Sequence, residues 1–360
     1  MLQKTIESRL DQFIDPWLMV SLAEAKLTRR VTASQDRIQV DLQLGYPHVA
    51  REMDLVEAIK RWLLPVAEGR EVAVLLSTRI RPHAGKLGLP ALPQVKNIIA
   101  VASGKGGVGK STVSVNMALA LAKAGAKVGL LDADIYGPSQ PLMFNAVGSK
   151  PKVKDKTFMP VVSHGIQTIS MGYLIEEGTA MVWRGPMIGK ALQQLMFDTA
   201  WDALDYLIVD LPPGTGDIQL TLCQKMPLAG AIIVTTPQDV ALSDVRRACE
   251  MFTKLNVPML GVVENMSVFH CTQCGHAEHL FGEGGGVKLS EDFNLPLLAS
   301  IPLARSIREM TDAGQPPVLQ APDSAYAKAF DEAAYKAVAW LSLQPEDYSS
   351  KFPNIVVTPR

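Results

Sequence analysis

One stretch of ten residues constrains this chain more than any other: Ser103-Gly104-Lys105-Gly106-Gly107-Val108-Gly109-Lys110-Ser111-Thr112. From Gly104 to Ser111 it carries the phosphate-loop spacing G-x-x-x-x-G-K-[ST]. The apolar run Ile98-Ile99-Ala100-Val101 precedes it and predicts a buried strand. Behind it, Val113, Met117, Ala120, Leu121 and Ala124 recur at helical spacing. Strand, glycine loop and helix form the context in which the motif has its chemical meaning. Glycines let successive backbone N–H groups converge on phosphate oxygens without Cβ clashes. The helix start adds its partial positive charge. Lys110 is expected on the β- and γ-phosphates and the Ser111 hydroxyl on Mg²⁺, with Gly104, Lys105, Gly106, Gly107, Val108, Gly109 and Thr112 around the nucleotide.

The rest of the chain fits around that loop. With 360 residues there is room for about two domains. From Lys96 onward, apolar strands recur at Val128–Leu131, Leu207–Val209, Ala231–Val234, Leu260–Val263 and Leu297–Ile301, with helical patterns between them. Such alternation predicts an α/β fold, a mostly parallel sheet flanked by helices. Residues 96–345 are assigned to this P-loop NTPase domain, 346–360 to a tail. Residues 1–87 read as a small α+β domain. A helical start with Ile6, Leu10 and Phe13 breaks at Asp15-Pro16, Arg37 to Leu44 alternates as a half-buried strand, Asp54 to Leu64 is helical, and Val72 to Ile80 is a strand. The Gly/Pro-punctuated run Gly85 to Pro93 marks a linker, assigned to 88–95.

A formal net charge of −1 argues against a nucleic-acid partner, which would usually require a strongly basic domain. No stretch approaches the 18 apolar residues of a membrane span, and the first residues lack an apolar signal core. A cytoplasmic protein with no membrane partner is expected.

In an open parallel sheet, ligands sit beyond the carboxyl ends of the strands. Polar motifs collect there. Val128 to Leu131 ends in Asp132-Ala133-Asp134; Tyr206 to Val209 ends in Asp210-Leu211-Pro212-Pro213-Gly214-Thr215-Gly216-Asp217. A carboxylate so placed can orient the attacking water or hold the Mg²⁺ shell. Asp210 fits the Mg²⁺-associated acid, and Gly214 and Gly216 give a backbone able to respond to the γ-phosphate. Thr235 to Asp239, Glu264-Asn265-Met266 and Ile301 to Ser306 follow later strands. Trp183-Arg184-Gly185-Pro186-Met187 suits an interface and a core equally.

Of the four cysteines, Cys249 lies on an apolar helix face and Cys223 follows the second acidic segment; both read as core. Cys271 and Cys274 form a C-x-x-C, which supplies two soft ligands where a closed iron–sulfur or structural zinc site needs four. His276 and His279 could complete a zinc site within the chain. A two-fold dimer could instead bring two C-x-x-C loops to one shared cluster. A redox dithiol is the third reading.

The run Lys105-Gly106-Gly107-Val108-Gly109-Lys110-Ser111-Thr112 resembles the variant (deviant Walker A) loop of the family containing nitrogenase iron protein and the division-site and partition ATPases. That resemblance implies ATP as nucleotide, and a homodimer in which Lys105 reaches the partner's phosphates. It also implies that Asp134 is the water-orienting first-switch aspartate, that Asp210 belongs to the second switch, and that Asn265 reads the adenine edge. Lys105, Lys110, Asp134 and Asp210 are thus the expected catalytic set. With the Glu264-Asn265-Met266-Ser267 segment and the cysteine pair after it, the order of motifs from Lys96 to Leu341 resembles the Mrp/ApbC/Nbp35 family of ATP-dependent iron–sulfur cluster carriers. The resemblance implies an ATPase that loads or releases a cluster, of the four-iron type, held at Cys271 and Cys274 between two subunits. Recipient apoproteins and cluster-assembly proteins are the implied partners. The first domain is similar to the small MIP18-like domain found beside iron–sulfur assembly proteins, although here it holds no cysteine. A positioning ATPase would share the loop and switches without explaining the thiols; a zinc-stabilised nucleotide-binding module is the other alternative.

Overall fold

The computed structural model describes residues 2–83, 89, 92, 94–175 and 185–347. The N-terminal unit runs α1 (Leu2–Asp11), β1 (Thr28–Ala33), β2 (Arg37–Leu44), α2 (Glu52–Leu63) and β3 (Glu71–Thr78). Its sheet has the order β1-β2-β3, with β1 antiparallel and β3 parallel to β2. The strict alternation of β2 explains its asymmetry. Ile38, Val40, Leu42 and Leu44 are buried beneath α1 and α2, while Arg37 and Gln39 face water.

The second unit alternates strands and helices as expected. In order come β4 (Val95–Ser103), α3 (Lys110–Lys123), β5 (Val128–Asp132), α4 (Gln140–Met143), the hairpin β6 (Lys152–Lys154) and β7 (Thr157–Met159), then β8 (Val161–Ser163) and β9 (Ile166–Ser170). They are followed by α5 (Gly185–Phe197), β10 (Leu204–Asp210), α6 (Asp217–Lys225), β11 (Gly230–Thr235), α7 (Asp239–Lys254), β12 (Met259–His270) and β13 (Ala277–Glu278). The last elements are α8 (Gly285–Phe293), β14 (Leu297–Leu303), α9 (Arg305–Asp312), α10 (Pro317–Gln320) and α11 (Ala325–Ser342). The strands from β14 through β12, β11, β4, β10 and β5 to β9 are parallel; only β8 and β13 pair antiparallel, against β9 and the end of β12.

Both faces of that sheet are covered, which is why its strands read as unbroken apolar runs. Ile99, Val101, Leu130, Ile208 and Val234 pack toward α3 and α11. Ile98, Ala100, Leu131, Leu207 and Ile233 pack toward α5, α6 and α7. The first of these cores continues into the N-terminal unit, so Ile6, Leu10, Ile38 and Tyr46 share one apolar cluster with Phe330, Tyr335 and Val338 of α11. Trp17 lies 5.0 Å from Tyr335, ring to ring. Val49 donates its N–H to Ala124 O at 3.1 Å, and Arg81 pairs with Glu346. Glu346 also forms a β-bridge with His83, so residues assigned to a separate tail return to seal the joint.

Several sequence expectations need adjustment. The segment Glu264-Asn265-Met266, expected to follow a strand ending at Val263, lies inside β12. The strand survives through a kink: Met266 has φ 56°, and the pairing to β14 shifts register between Asn265 and Phe269. Strand β9, buried yet unexpected, flanks β5. The linker segment from Gly85, Trp183-Arg184 and residues 351–360 fall wholly or largely outside the described residues. Among the described residues no helix is long and apolar enough to cross a membrane.

Candidate functional site

The phosphate loop joins β4 to α3, as the sequence predicts. Gly106 and Gly107 are exposed, Val108 is buried, and Ser111 and Thr112 are half-buried at the first turn of α3. Two glycines are dictated by their surroundings. A Cβ on Gly104 would lie 2.4 Å from the backbone of Asp244 and Val245 in α7. Gly109 has φ 80°, and a Cβ there would lie 2.2 Å from Asn265 Nδ2.

Lys110 and Asp210 meet at the centre. Lys110 Nζ lies 2.6 Å from Asp210 Oδ1, with both side chains buried. The ammonium is also 3.3 Å from Ser111 Oγ. Asp210 ends β10 beside Asp132 of β5, its register partner. It accepts two further hydrogen bonds, from Ser114 Oγ at 2.8 Å onto Oδ1 and from Gln140 Nε2 at 2.9 Å onto Oδ2. Asp132 accepts from the backbone N–H of Asp134 and of Gln140 and from Ser170 Oγ, at 3.1, 3.2 and 3.0 Å. Burial, then the neighbouring Asp210 charge, pushes the Asp132 carboxyl well above its usual range, against the pull of Lys110. Asp134, half-buried, is shifted the same way, mainly by burial.

Lys105 stands apart from this pair. Its Nζ donates to Gln238 Oε1 at 3.0 Å, an oxygen that also accepts from Thr236 Oγ1 at 3.0 Å. Asn265 is brought to the loop: its Nδ2 donates to Val108 O at 2.8 Å, and its Oδ1 accepts the Met266 N–H at 3.0 Å. A base contact from Asn265 therefore needs its second amide hydrogen or release of the Val108 carbonyl.

The thiols lie further along the same strand. After Asn265, β12 continues for five residues to His270, and Cys271 opens the turn to β13. Cys271 N–H donates to His276 O and Gly275 N–H to Cys271 O, both at 2.9 Å, with Gly275 at φ 73°. Cys274 is exposed and Cys271 partly so. The backbone N–H groups of Cys274 and Gln273, then the Cys274 thiol, lower the Cys271 pKa and favour its thiolate. Cys223 and Cys249 are buried, and burial raises both to about 12. His279 directs Nδ1 at Ser267 O, 3.0 Å away. No group of three or more His, Cys, Asp or Glu side chains is gathered to hold a metal ion among the described residues.

Sequence reasoning passed over Ser114, Gln140 and Ser170. Ser114 stands one helical turn after Lys110, a spacing that marks it as a neighbour. Gln140 and Ser170 carry no comparable signal; only the fold brings them to the two aspartates. The oxygen-rich set of Asp210, Ser111 and Asp134 suits a small hard cation such as Mg²⁺. The exposed thiol pair suits a soft metal.

Residues 94–338 match the model of the ParA family, described as NUBPL iron-transfer P-loop NTPase, and residues 3–76 match that of an iron–sulfur cluster assembly protein. An iron–sulfur cluster carrier protein of Escherichia coli K12 is 46% identical over 346 residues, covering 96% of this chain and 94% of its own. One from Pseudomonas fragi is 59% identical over 257 residues, covering 71% of this chain and 90% of its own. Among solved structures, a nucleotide-binding protein from Archaeoglobus fulgidus in complex with ADP superposes with a TM-score of 0.58 at 37% identity, over 66% of this chain and 93% of its own. The cell division ATPase MinD of Pyrococcus furiosus gives 0.52 at 24% identity, over 67% and 97%, a likeness of fold alone.

Proposed function

Since the chain belongs to the NUBPL-type iron-transfer P-loop NTPases of the ParA family, we propose that it is an ATP-hydrolysing carrier of an iron–sulfur cluster. The cluster is cargo, held by Cys271 and Cys274 of two subunits and handed to apoproteins. One observation carries this reading. A single strand, β12, runs from the Asn265 grip on the phosphate loop to the turn that bears both thiols. Five residues separate Asn265 from Cys271, six steps of chain that span at most roughly 20 Å at about 3.3 Å per residue.

ATP would lie along the loop, with its phosphates on the backbone N–H groups and on Lys110. A triphosphate offers that ammonium more negative charge than Asp210 does, so Lys110 turns from the acid to the phosphates. Asp210 and the Ser111 hydroxyl would then hold Mg²⁺, which supplies charge neutralisation at the β- and γ-phosphates. Asp134, beyond the end of β5, would orient the attacking water. Lys105, held by Gln238, is the cation that a second subunit would receive in trans. Cluster loading and release follow the nucleotide through β12. A coupling of about 1–3 kcal/mol changes retention by roughly 5- to 150-fold. With four free thiols, the chain suits a reducing compartment, and we place it in the cytoplasm.

The test is the full chain with both Cys271→Ala and Cys274→Ala, reconstituted anaerobically with iron and sulfide. The expected result is iron and sulfide content reduced to background, with ATP binding at the wild-type level. Unchanged iron content would refute the assignment of the thiols. Sedimentation of the loaded wild-type protein as a single chain would refute sharing.

A further inference from the structure

Gln140 is wholly buried and occupies the first position of α4, a helix too short to position anything by its dipole. Its side chain does that positioning directly. Both amide hydrogens are used: Nε2 donates to Asp210 Oδ2 at 2.9 Å and to Ser111 O at 3.1 Å. Its backbone N–H holds Asp132 Oδ2 at 3.2 Å. One residue therefore bridges the end of β5, the end of β10 and the first turn of α3. Its remaining polar atom, Oε1, is buried without a hydrogen-bond partner among the described residues. A buried acceptor left unpaired is costly, and such atoms in a packed site point to a donor that arrives with a ligand.

We propose that Gln140 is the positioning residue for the Mg²⁺-bound form of the nucleotide site. This rests on the reading of that site given above. When Lys110 turns to the phosphates, Asp210 loses a cation but keeps two neutral donors, Ser114 Oγ and Gln140 Nε2. Ser114 holds Oδ1, and Gln140 alone among the described residues holds Oδ2. The amide thus fixes the plane of the carboxylate after the ion pair opens. In the same geometry Oε1 accepts from a water brought in with the hydrated ion, for which Mg²⁺ usually keeps several. The amide is suited to this because it donates to a carboxylate and accepts from a water at once; a carboxylate side chain would repel Asp210, and a thioether would do neither.

The experiment is nucleotide binding to the full chain, measured by fluorescence of a labelled ADP in excess Mg²⁺ and again in excess EDTA. Gln140→Met keeps the volume and removes the hydrogen bonds, so its fold is checked by thermal unfolding. Gln140→Glu keeps the shape and adds a further carboxylate to the Asp132–Asp210 pair. For both, the expected result is about tenfold weaker binding in Mg²⁺, binding in EDTA within about twofold of wild type, and an unchanged iron content after reconstitution. Equal losses in both conditions would show a general packing role and overturn the proposal, as would wild-type affinity in Mg²⁺. If the wild-type chain itself binds no nucleotide in either condition, the reading of the site fails along with it.

Discussion

At the scale of single residues, Gly109 and Asn265 are a matched pair. Gly109→Ala forces a Cβ into a left-handed backbone, which costs about 1–2 kcal/mol, and drives it against the Asn265 amide 2.2 Å away. We expect the variant to melt earlier and to lose at least tenfold in ADP affinity. Adding Asn265→Ala removes the collision but leaves the backbone strain, so the double variant should regain part of the loss. Strictly additive effects in thermal melts would show that the two do not touch. The cysteines separate at the same scale. Cys271, with its thiolate favoured by backbone N–H groups, should be alkylated with half its maximal rate reached below the ordinary thiol pKa of 9.0. Cys223 and Cys249, pushed to about 12 by burial, should stay unmodified until denaturant is added. Peptide mass spectrometry of the pH series checks both. The phosphate loop and the C-x-x-C could be read from the sequence because each packs its chemistry into fewer than ten consecutive positions. Gln140 and Ser170 could not, since what makes them neighbours of Asp132 and Asp210 is strand order, which no local pattern encodes.

At the scale of elements, the apolar runs of β4, β10 and β11 were legible because both faces are buried and no alternation dilutes them. The extent of β12 was not. Asn265, Met266 and Ser267 look like loop residues, and only the bulge at Met266 lets a strand carry them. That bulge aims Asn265 at the loop while the strand beyond it proceeds to the thiols. Small strands such as β8 escaped for a different reason: three residues are too few for a period to emerge. In the N-terminal unit, β2 was legible and β1 was not, because Val31 is the sole deeply buried side chain of Thr28–Ala33.

At the scale of the whole molecule, the sequence suggests two units on a linker, whereas the structure joins them through one continuous core. Tyr335 is 1% exposed and lies beside Trp17; Gly45 approaches Ser342 closely enough that a Cβ would clash at 2.8 Å. Removing residues 1–87 should uncover the Tyr335 face of α11, at about 1.5–3 kcal/mol for each large apolar side chain returned to water. The truncated chain should melt at lower temperature and scatter light on standing. An unchanged melting curve would mean the units are energetically independent.

The Asn265 amide already ties down the phosphate loop at Val108 O. A cradle already clamped by its neighbour has little left to order when a ligand enters, so it offers a diphosphate and a triphosphate much the same welcome. On the function proposed above, telling spent fuel from fresh then falls to the segments that follow Asp134 and Asp210.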